Sequence, residues 1–167
     1  MATVVEPPTS VSVKGRILIV DDDERIRKAM SMVLTSEGYV VDTVQDGKQA
    51  IEKSETNFYN VALVDIRLPD MHGTELLTQM QETTPRMIKI IITGYASLQN
   101  AIEAVNNGAD GYLTKPVEVN RLLAMITDQL RKQQELRDYG EDKIMNHIQT
   151  RFKEIETTKP ATESRIE

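Results

Sequence analysis

Ile17-Leu18-Ile19-Val20-Asp21-Asp22-Asp23 sets four consecutive apolar residues directly against three acids. An apolar run that does not alternate belongs to a strand covered on both faces, the situation of a parallel sheet between helices. The pattern recurs down the chain. Val61-Ala62-Leu63-Val64 hands over to Asp65, Ile88–Ile92 to Thr93-Gly94, and Gly111–Thr114 to Lys115-Pro116, with a further strand over Tyr39–Val44. Helix-period segments fill the gaps. Ile26, Met30, Val33 and Leu34 share a stripe that Gly38 ends, and Asp46, with Gln49 after it, starts a second helix through Ile51, Glu55 and Phe58. Leu76, Leu77 and Met80 mark the third helix, and Leu98, Ile102 and Val105 the fourth, which Gly108 ends. Val119, Leu122, Leu123, Ile126 and Leu130 mark the last. Five β-then-α units in succession predict an α/β fold, a parallel sheet with helices on both faces.

Outside these units the pattern changes. Residues 1–14, with Pro7-Pro8-Thr9-Ser10, read as a disordered N-terminal tail, and 15–132 hold the folded domain. Asp138-Tyr139-Gly140 reads as a break, after which Ile144, Ile148, Phe152 and Ile155 recur at helical spacing. Residues 133–156 are therefore expected to form an amphipathic helical extension. Residues 157–167, polar and with Pro160, read as a disordered C-terminal tail. The extension is nearly neutral and too short for a helix-turn-helix unit, which argues against a DNA-binding output domain in this chain. Its stripe covers under two heptads, so docking on the folded domain or a short helical pair suits it better than a long coiled coil.

At 167 residues, 40% hydrophobic and 28% charged, the chain has room for one compact domain plus extensions. Its formal charge of −6 provides no general nucleic-acid surface. The absence of cysteine excludes disulfides and thiol chemistry. No apolar run approaches the roughly 18 residues of a membrane span. The first residues lack the basic start and apolar core of a signal peptide. A soluble cytoplasmic protein is expected, with neither membrane nor nucleic acid as a direct partner.

In open parallel sheets, ligands bind outside the carboxyl ends of the strands. Asp21-Asp22-Asp23, Asp65, Thr93 and Lys115 all follow or end strands, so they gather at one edge. Singly, each has a plain reading: helix capping by the acids, a turn at Asp65, a surface lysine. Capping needs one acid, however, and several side by side repel unless a cation intervenes. An all-oxygen cluster without His or Cys suits Mg²⁺, which is held through few carboxylates and keeps several waters. With a metal on one oxygen of an incoming phosphoryl group, Lys115 can neutralise another and the Thr93 hydroxyl can meet a third. Gly94 leaves room beside it. An aspartate carboxylate such as Asp65 can accept a phosphoryl group as an acyl phosphate.

Asp21-Asp22, Asp65, Thr93 and Lys115-Pro116, in that order and at those separations, resemble the receiver domain of two-component response regulators. So do Asp65-Ile66-Arg67-Leu68-Pro69-Asp70-Met71-His72-Gly73 and Gly108-Ala109-Asp110-Gly111-Tyr112-Leu113. The resemblance implies a doubly wound, flavodoxin-like sheet of order 2-1-3-4-5. It implies a cis Lys115-Pro116 bond, and phosphorylation of Asp65 by a sensor histidine kinase or a small phosphodonor. Asp22, Asp65 and the backbone carbonyl of Arg67 are then direct Mg²⁺ ligands, with Asp21 acting through water. Thr93 and Tyr112 form the switch pair, Thr93 moving toward the phosphoryl group and Tyr112 turning inward. Arg67 and Tyr95 flank the path of attacking water and tune the lifetime of the phosphorylated state. Such a domain is no enzyme, although it assists its own phosphorylation and dephosphorylation. Its output is a changed affinity for a downstream protein or for a second copy in a homodimer.

Two rivals stand beside this reading. Phosphotransferases and phosphatases with a strand-end aspartate usually carry a second Asp two residues later, where this chain has Arg67. A receiver-like module that is never phosphorylated is opposed by retention of every site residue. His72 reads as exposed and His147 as a packing or rim residue, since neither has a second His or a Cys at ligand spacing. Met30, Met32, Met80, Met87 and Met125 read as core or flanking side chains.

Overall fold

A computed structural model describes residues 12–80 and 86–157. Its strands are β1 (Arg16–Val20), β2 (Val40–Val44), β3 (Val61–Val64), β4 (Ile88–Thr93) and β5 (Gly111–Thr114). They alternate with α1 (Glu24–Ser36), α2 (Gly47–Thr56), α3 (Gly73–Gln79), α4 (Leu98–Asn106) and α5 (Val119–Thr157). All strands are parallel, in the order β2-β1-β3-β4-β5. The chain steps from β1 outward to β2, then reverses through β3, β4 and β5. Right-handed crossovers therefore send α1 to one face and α2, α3 and α4 to the other. The reversal opens a crevice between the carboxyl ends of β1 and β3.

Burial follows from this layering. Ile17, Leu18, Ile19 and Val20 are buried, as are all of β3 and β4, whereas the edge strand β2 is partly exposed. The core packs Leu18, Val20, Ala62, Val64 and Ile91 against Leu76, Leu77 and Tyr59. Fully burying one such aliphatic side chain stabilises by about 1.5–3 kcal/mol. Helix boundaries follow local chemistry. The Asp46 carboxylate accepts from the Gln49 N–H at 2.8 Å, and Gly38 and Gly108 take the positive φ that ends α1 and α4.

One element has an orientation that periodicity left open, and another departs from expectation. The α4 stripe of Leu98, Ile102 and Val105 faces outward, at 78%, 49% and 66% exposure, and the small Ala104 is the buried residue instead. The break expected at Asp138-Tyr139-Gly140 is absent, and α5 runs unbroken for 39 residues. A lone glycine inside a helix costs only about 1 kcal/mol relative to alanine. Here i,i+4 contacts support the preceding turns, Arg131 with Glu135 and Gln134 with Asp138. The segment 133–156 is thus the continuation of α5, not a separate helix. By internal contacts the chain divides into one unit ending at Gln129 and a second from Leu130 onward. Of the N-terminal tail only residues 12–14 are described, without regular structure, and the C-terminal tail lies outside the described residues except for Thr157, the end of α5. No described helix is long and apolar enough to cross a membrane.

Candidate functional site

Sheet register assembles the site. Val20 pairs with Val64, so the next residues, Asp21 and Asp65, leave the sheet side by side. Thr93 pairs with Thr114, so Lys115 emerges beside the end of β4. The three consecutive acids divide their work. Asp23 is the N-cap of α1, accepting from the Arg25 N–H at 2.9 Å. Asp21 is buried beneath it, its Oδ1 accepting from the Asp23 N–H at 2.9 Å, and Arg27 Nη1 donates to the Asp21 carbonyl at 2.6 Å. Asp22 points to solvent. One carboxylate oxygen from each of Asp21, Asp22 and Asp65 lies within 4.8 Å of the others.

Lys115 spans the buried pair. Its Nζ donates to Asp21 Oδ2 at 2.6 Å and to Asp65 Oδ2 at 2.8 Å. Burial raises the Asp21 carboxyl above its ordinary value, and the Lys115 hydrogen bond offsets only part of this. For Lys115, burial works against the charge, but the hydrogen bonds to Asp21 and Asp65 outweigh it and raise the ammonium. An ammonium therefore supplies the positive charge that crowded carboxylates require. The donor set suits a hard divalent cation, since every side-chain ligand offered is a carboxylate oxygen.

Thr93 and Arg67 border this centre. Thr93 is fully buried, and its Oγ1 accepts from the Tyr95 N–H at 3.0 Å. The Arg67 N–H donates to Asp65 Oδ1 at 3.3 Å, and the Arg67 guanidinium stacks on the Tyr95 ring, 3.4 Å from its centroid. Tyr112 packs against the core with its hydroxyl buried and unpartnered. The Lys115-Pro116 bond is cis. Gly94 has no close neighbour, since an added Cβ would meet only Lys115 Cβ, at 4.0 Å.

The β3–α3 loop holds functional residues whose roles the sequence reading missed. A Cβ on Gly73 would fall 2.2 Å from the Asp65 carbonyl oxygen, so only glycine lets α3 start against the back of Asp65. Arg67 and His72 form an antiparallel bridge, and the Gly73 N–H donates to the Ile66 carbonyl at 2.6 Å, closing the loop on itself. Asp70 reaches across to α2, accepting from the N–H groups of Gly47 and Lys48, each at 2.9 Å. With Asp46 on Gln49, three N-terminal donors of α2 are satisfied and the loop is anchored. Asp70 caps another helix, which leaves no local trace in sequence. His72 N-caps α3 without a capping hydrogen bond, its Nδ1 instead lying 2.6 Å from Thr74 Oγ1. His147 is exposed on α5.

Comparison with known proteins agrees with this geometry. The profile described as "Response regulator receiver domain" matches residues 17–127, more than half of the chain. The response regulator ArlR of Staphylococcus saprophyticus is 36% identical over 118 residues, covering 71% of this chain and 53% of ArlR. The uncharacterized transcriptional regulatory protein YkoG of Bacillus subtilis is 34% identical over 119 residues, covering 71% of this chain and 52% of YkoG. The chain thus spans about half the length of these curated relatives. Among solved structures, a CheY-like receiver domain protein from Methanospirillum hungatei superposes with a TM-score of 0.69 at 46% identity, covering 72% of this chain and 96% of that one. The beryllofluoride-activated receiver domain dimer of NtrC4 gives 0.66 at 34% identity, covering 71% and 98%.

Proposed function

Because the chain belongs to the response regulator receiver family, we propose that it is a phosphorylation-switched response regulator whose Asp65 accepts a phosphoryl group from a sensor histidine kinase or a small phosphodonor. The observation that carries this reading is the Lys115 ammonium bridging buried Asp21 and Asp65 at the carboxyl ends of β1 and β3. A buried aspartate with a cation shared between it and a second carboxylate suits a nucleophile better than a structural ion pair. Asp21, Asp22, Asp65 and the Arg67 carbonyl would hold Mg²⁺, which when bound neutralises the carboxylates and the phosphoryl oxygens. An Asp65 oxygen attacks phosphorus in line, and the phosphorus–donor bond breaks as the new phosphorus–oxygen bond forms. Lys115 follows the charge onto a phosphoryl oxygen. Thr93 turns its hydroxyl toward another and releases the Tyr95 N–H it now holds.

That release is the start of the switch. The buried, unpartnered Tyr112 hydroxyl carries a desolvation cost of about 1–3 kcal/mol. That cost opposes the inward placement, so a change at neighbouring Thr93 can tip the equilibrium between inward and outward. The output surface is the exposed α4 stripe of Leu98, Ile102 and Val105, adjoining Tyr95 in sequence. The chain acts in the cytoplasm by protein contact and turns over no substrate beyond its own phosphoryl group. Incubation with acetyl phosphate and Mg²⁺, followed by intact mass, tests this. One phosphoryl group should add to the parent and none to Asp65→Asn. No addition to the parent, or addition that persists in the variant, refutes the assignment.

A further inference from the structure

We propose that Glu103 is a positioning residue for the phosphorylation of Asp65, a latch that holds α4 in its resting place through Thr74 and His72. The latch rests on the reading of Asp65 as phosphoacceptor and α4 as the element that answers it. Thr74, the second residue of α3, is buried, and its hydroxyl donates to Glu103 Oε1 of α4 at 2.8 Å. His72 Nδ1 lies 2.6 Å from the same hydroxyl oxygen and 3.9 Å from Glu103 Oε1. A carboxylate only accepts, so the single hydroxyl proton goes to Glu103, and Thr74 accepts from a proton on His72 Nδ1. Donation therefore runs from His72 to Thr74 to Glu103.

The two ends of this relay give it a role. It starts in the loop that carries Asp65. Gly73, between His72 and Thr74, leaves no room for a Cβ beside the Asp65 carbonyl, its N–H donates to the Ile66 carbonyl, and His72 bridges to Arg67. Thr74 is thus anchored on the β3 side. The relay ends on α4, where Ala104, next to Glu103, is the buried residue. With so little apolar surface against the sheet, polar contacts such as this one decide where α4 sits. The contact is made in the unphosphorylated arrangement, with Lys115 on Asp21 and Asp65 and the Tyr95 N–H on Thr93. An α4 that shifts when Asp65 is phosphorylated stretches or breaks it. A contact made in only one of two states biases the equilibrium toward that state, so the latch opposes phosphorylation.

Thr74→Val removes the hydroxyl with little change of shape. The groups it releases, His72 and Glu103, are 41% and 44% exposed at the side chain, so water takes them up. Glu103→Ala removes the other end of the contact. In the unphosphorylated full chain, each variant should raise hydrogen exchange of the α4 amides roughly tenfold, the effect of losing one hydrogen bond to a carboxylate. The amides of β1 and α1 should keep the parent's protection. Beryllofluoride with Mg²⁺ serves as an equilibrium stand-in for the phosphoryl group, titrated by fluorine NMR. Each variant should bind it roughly tenfold more tightly than the parent, and the double variant should match the singles, since one contact is lost in all three. Mere structural damage weakens binding, so the direction of the change separates a latch from a scaffold. Exchange of α4 no faster than the parent's in both variants overturns the latch. So does beryllofluoride affinity that Thr74→Val leaves unchanged or lowers while the parent binds. Beryllofluoride bound by neither parent nor variants removes the phosphoacceptor reading, and the latch with it.

Discussion

The stack of Arg67 on Tyr95 should set how long the phosphorylated state lasts. Loss of the phosphoryl group needs a water in line with the phosphorus–oxygen bond. Arg67 and Tyr95 hang from backbone N–H groups that contact Asp65 and Thr93, so their side chains meet across the ends of β3 and β4. A cation over an aromatic face is worth about 0.5–1 kcal/mol when exposed and about 2 when desolvated. Tyr95 is 52% exposed, which places this stack near about 1 kcal/mol. That corresponds to roughly fivefold in the ratio of closed to open lid, since about 1.4 kcal/mol is tenfold. Tyr95→Ala keeps the backbone N–H and removes only the ring. Its dephosphorylation should run about fivefold faster than the parent's, and Arg67→Asn should give a similar rise. Because the two side chains act as one lid, the double variant should match the faster single, rather than reach the roughly 25-fold of independent effects. The assay loads the chain with acetyl phosphate, removes the donor, and follows the phosphorylated fraction by intact mass. A double variant no faster than the parent refutes shielding, and multiplicative rates refute the stack as its unit.

Lys115→Met leaves Asp21 and Asp65 buried without their bridging charge, and should cost about 2–4 kcal/mol in urea unfolding with chelator present. Mg²⁺ should recover part of that loss; equal stability of parent and variant in chelator would count against the bridge. Asp42 accepts from Tyr59 Oη at 2.7 Å and from Arg16 Nη2 at 2.7 Å. Burial pushes the Asp42 carboxyl up, but these bonds prevail and hold it below its ordinary value. Its contribution is therefore complete above the unfolded value of about 3.9 and is lost as pH falls through the lower folded value. At 26% side-chain exposure it is worth only about 1 kcal/mol, so Asp42→Asn should be less stable near neutrality, with the gap closing in acid. A gap that stays constant down to about pH 2 contradicts the linkage. Gly73→Ala must displace backbone behind Asp65, costing about 1–3 kcal/mol and slowing phosphorylation. Parent-like unfolding and phosphorylation rates would show that the close approach does not matter.

What the sequence disclosed, and what it withheld, divides along the range of the interactions. Strands buried on both faces have no alternation to hide, so Ile17–Val20 and Val61–Val64 announce themselves, and the acids after them mark the carboxyl edge. The structure brings Asp21, Asp22, Asp65 and Lys115 together at that edge, with Thr93 at the end of β4, because register in a parallel sheet aligns successive ends. Contacts between elements distant in sequence were silent. Asp70 caps α2 from 23 residues away, and nothing around it signals that reach. Glycine at 140 read as a stop because stops are what glycine usually marks, yet the balance of neighbouring helix formers carried α5 through it. The α4 stripe is the most instructive case. Helical spacing of Leu98, Ile102 and Val105 shows that a helix forms, but periodicity alone does not say which side faces the sheet. The sheet takes the side with Ala104, whose small side chain lets the helix sit close. A helix held through one small residue has little apolar contact to lose. On the proposed reading of α4 as the output surface, that lets it move at small cost and offer its larger apolar groups once moved.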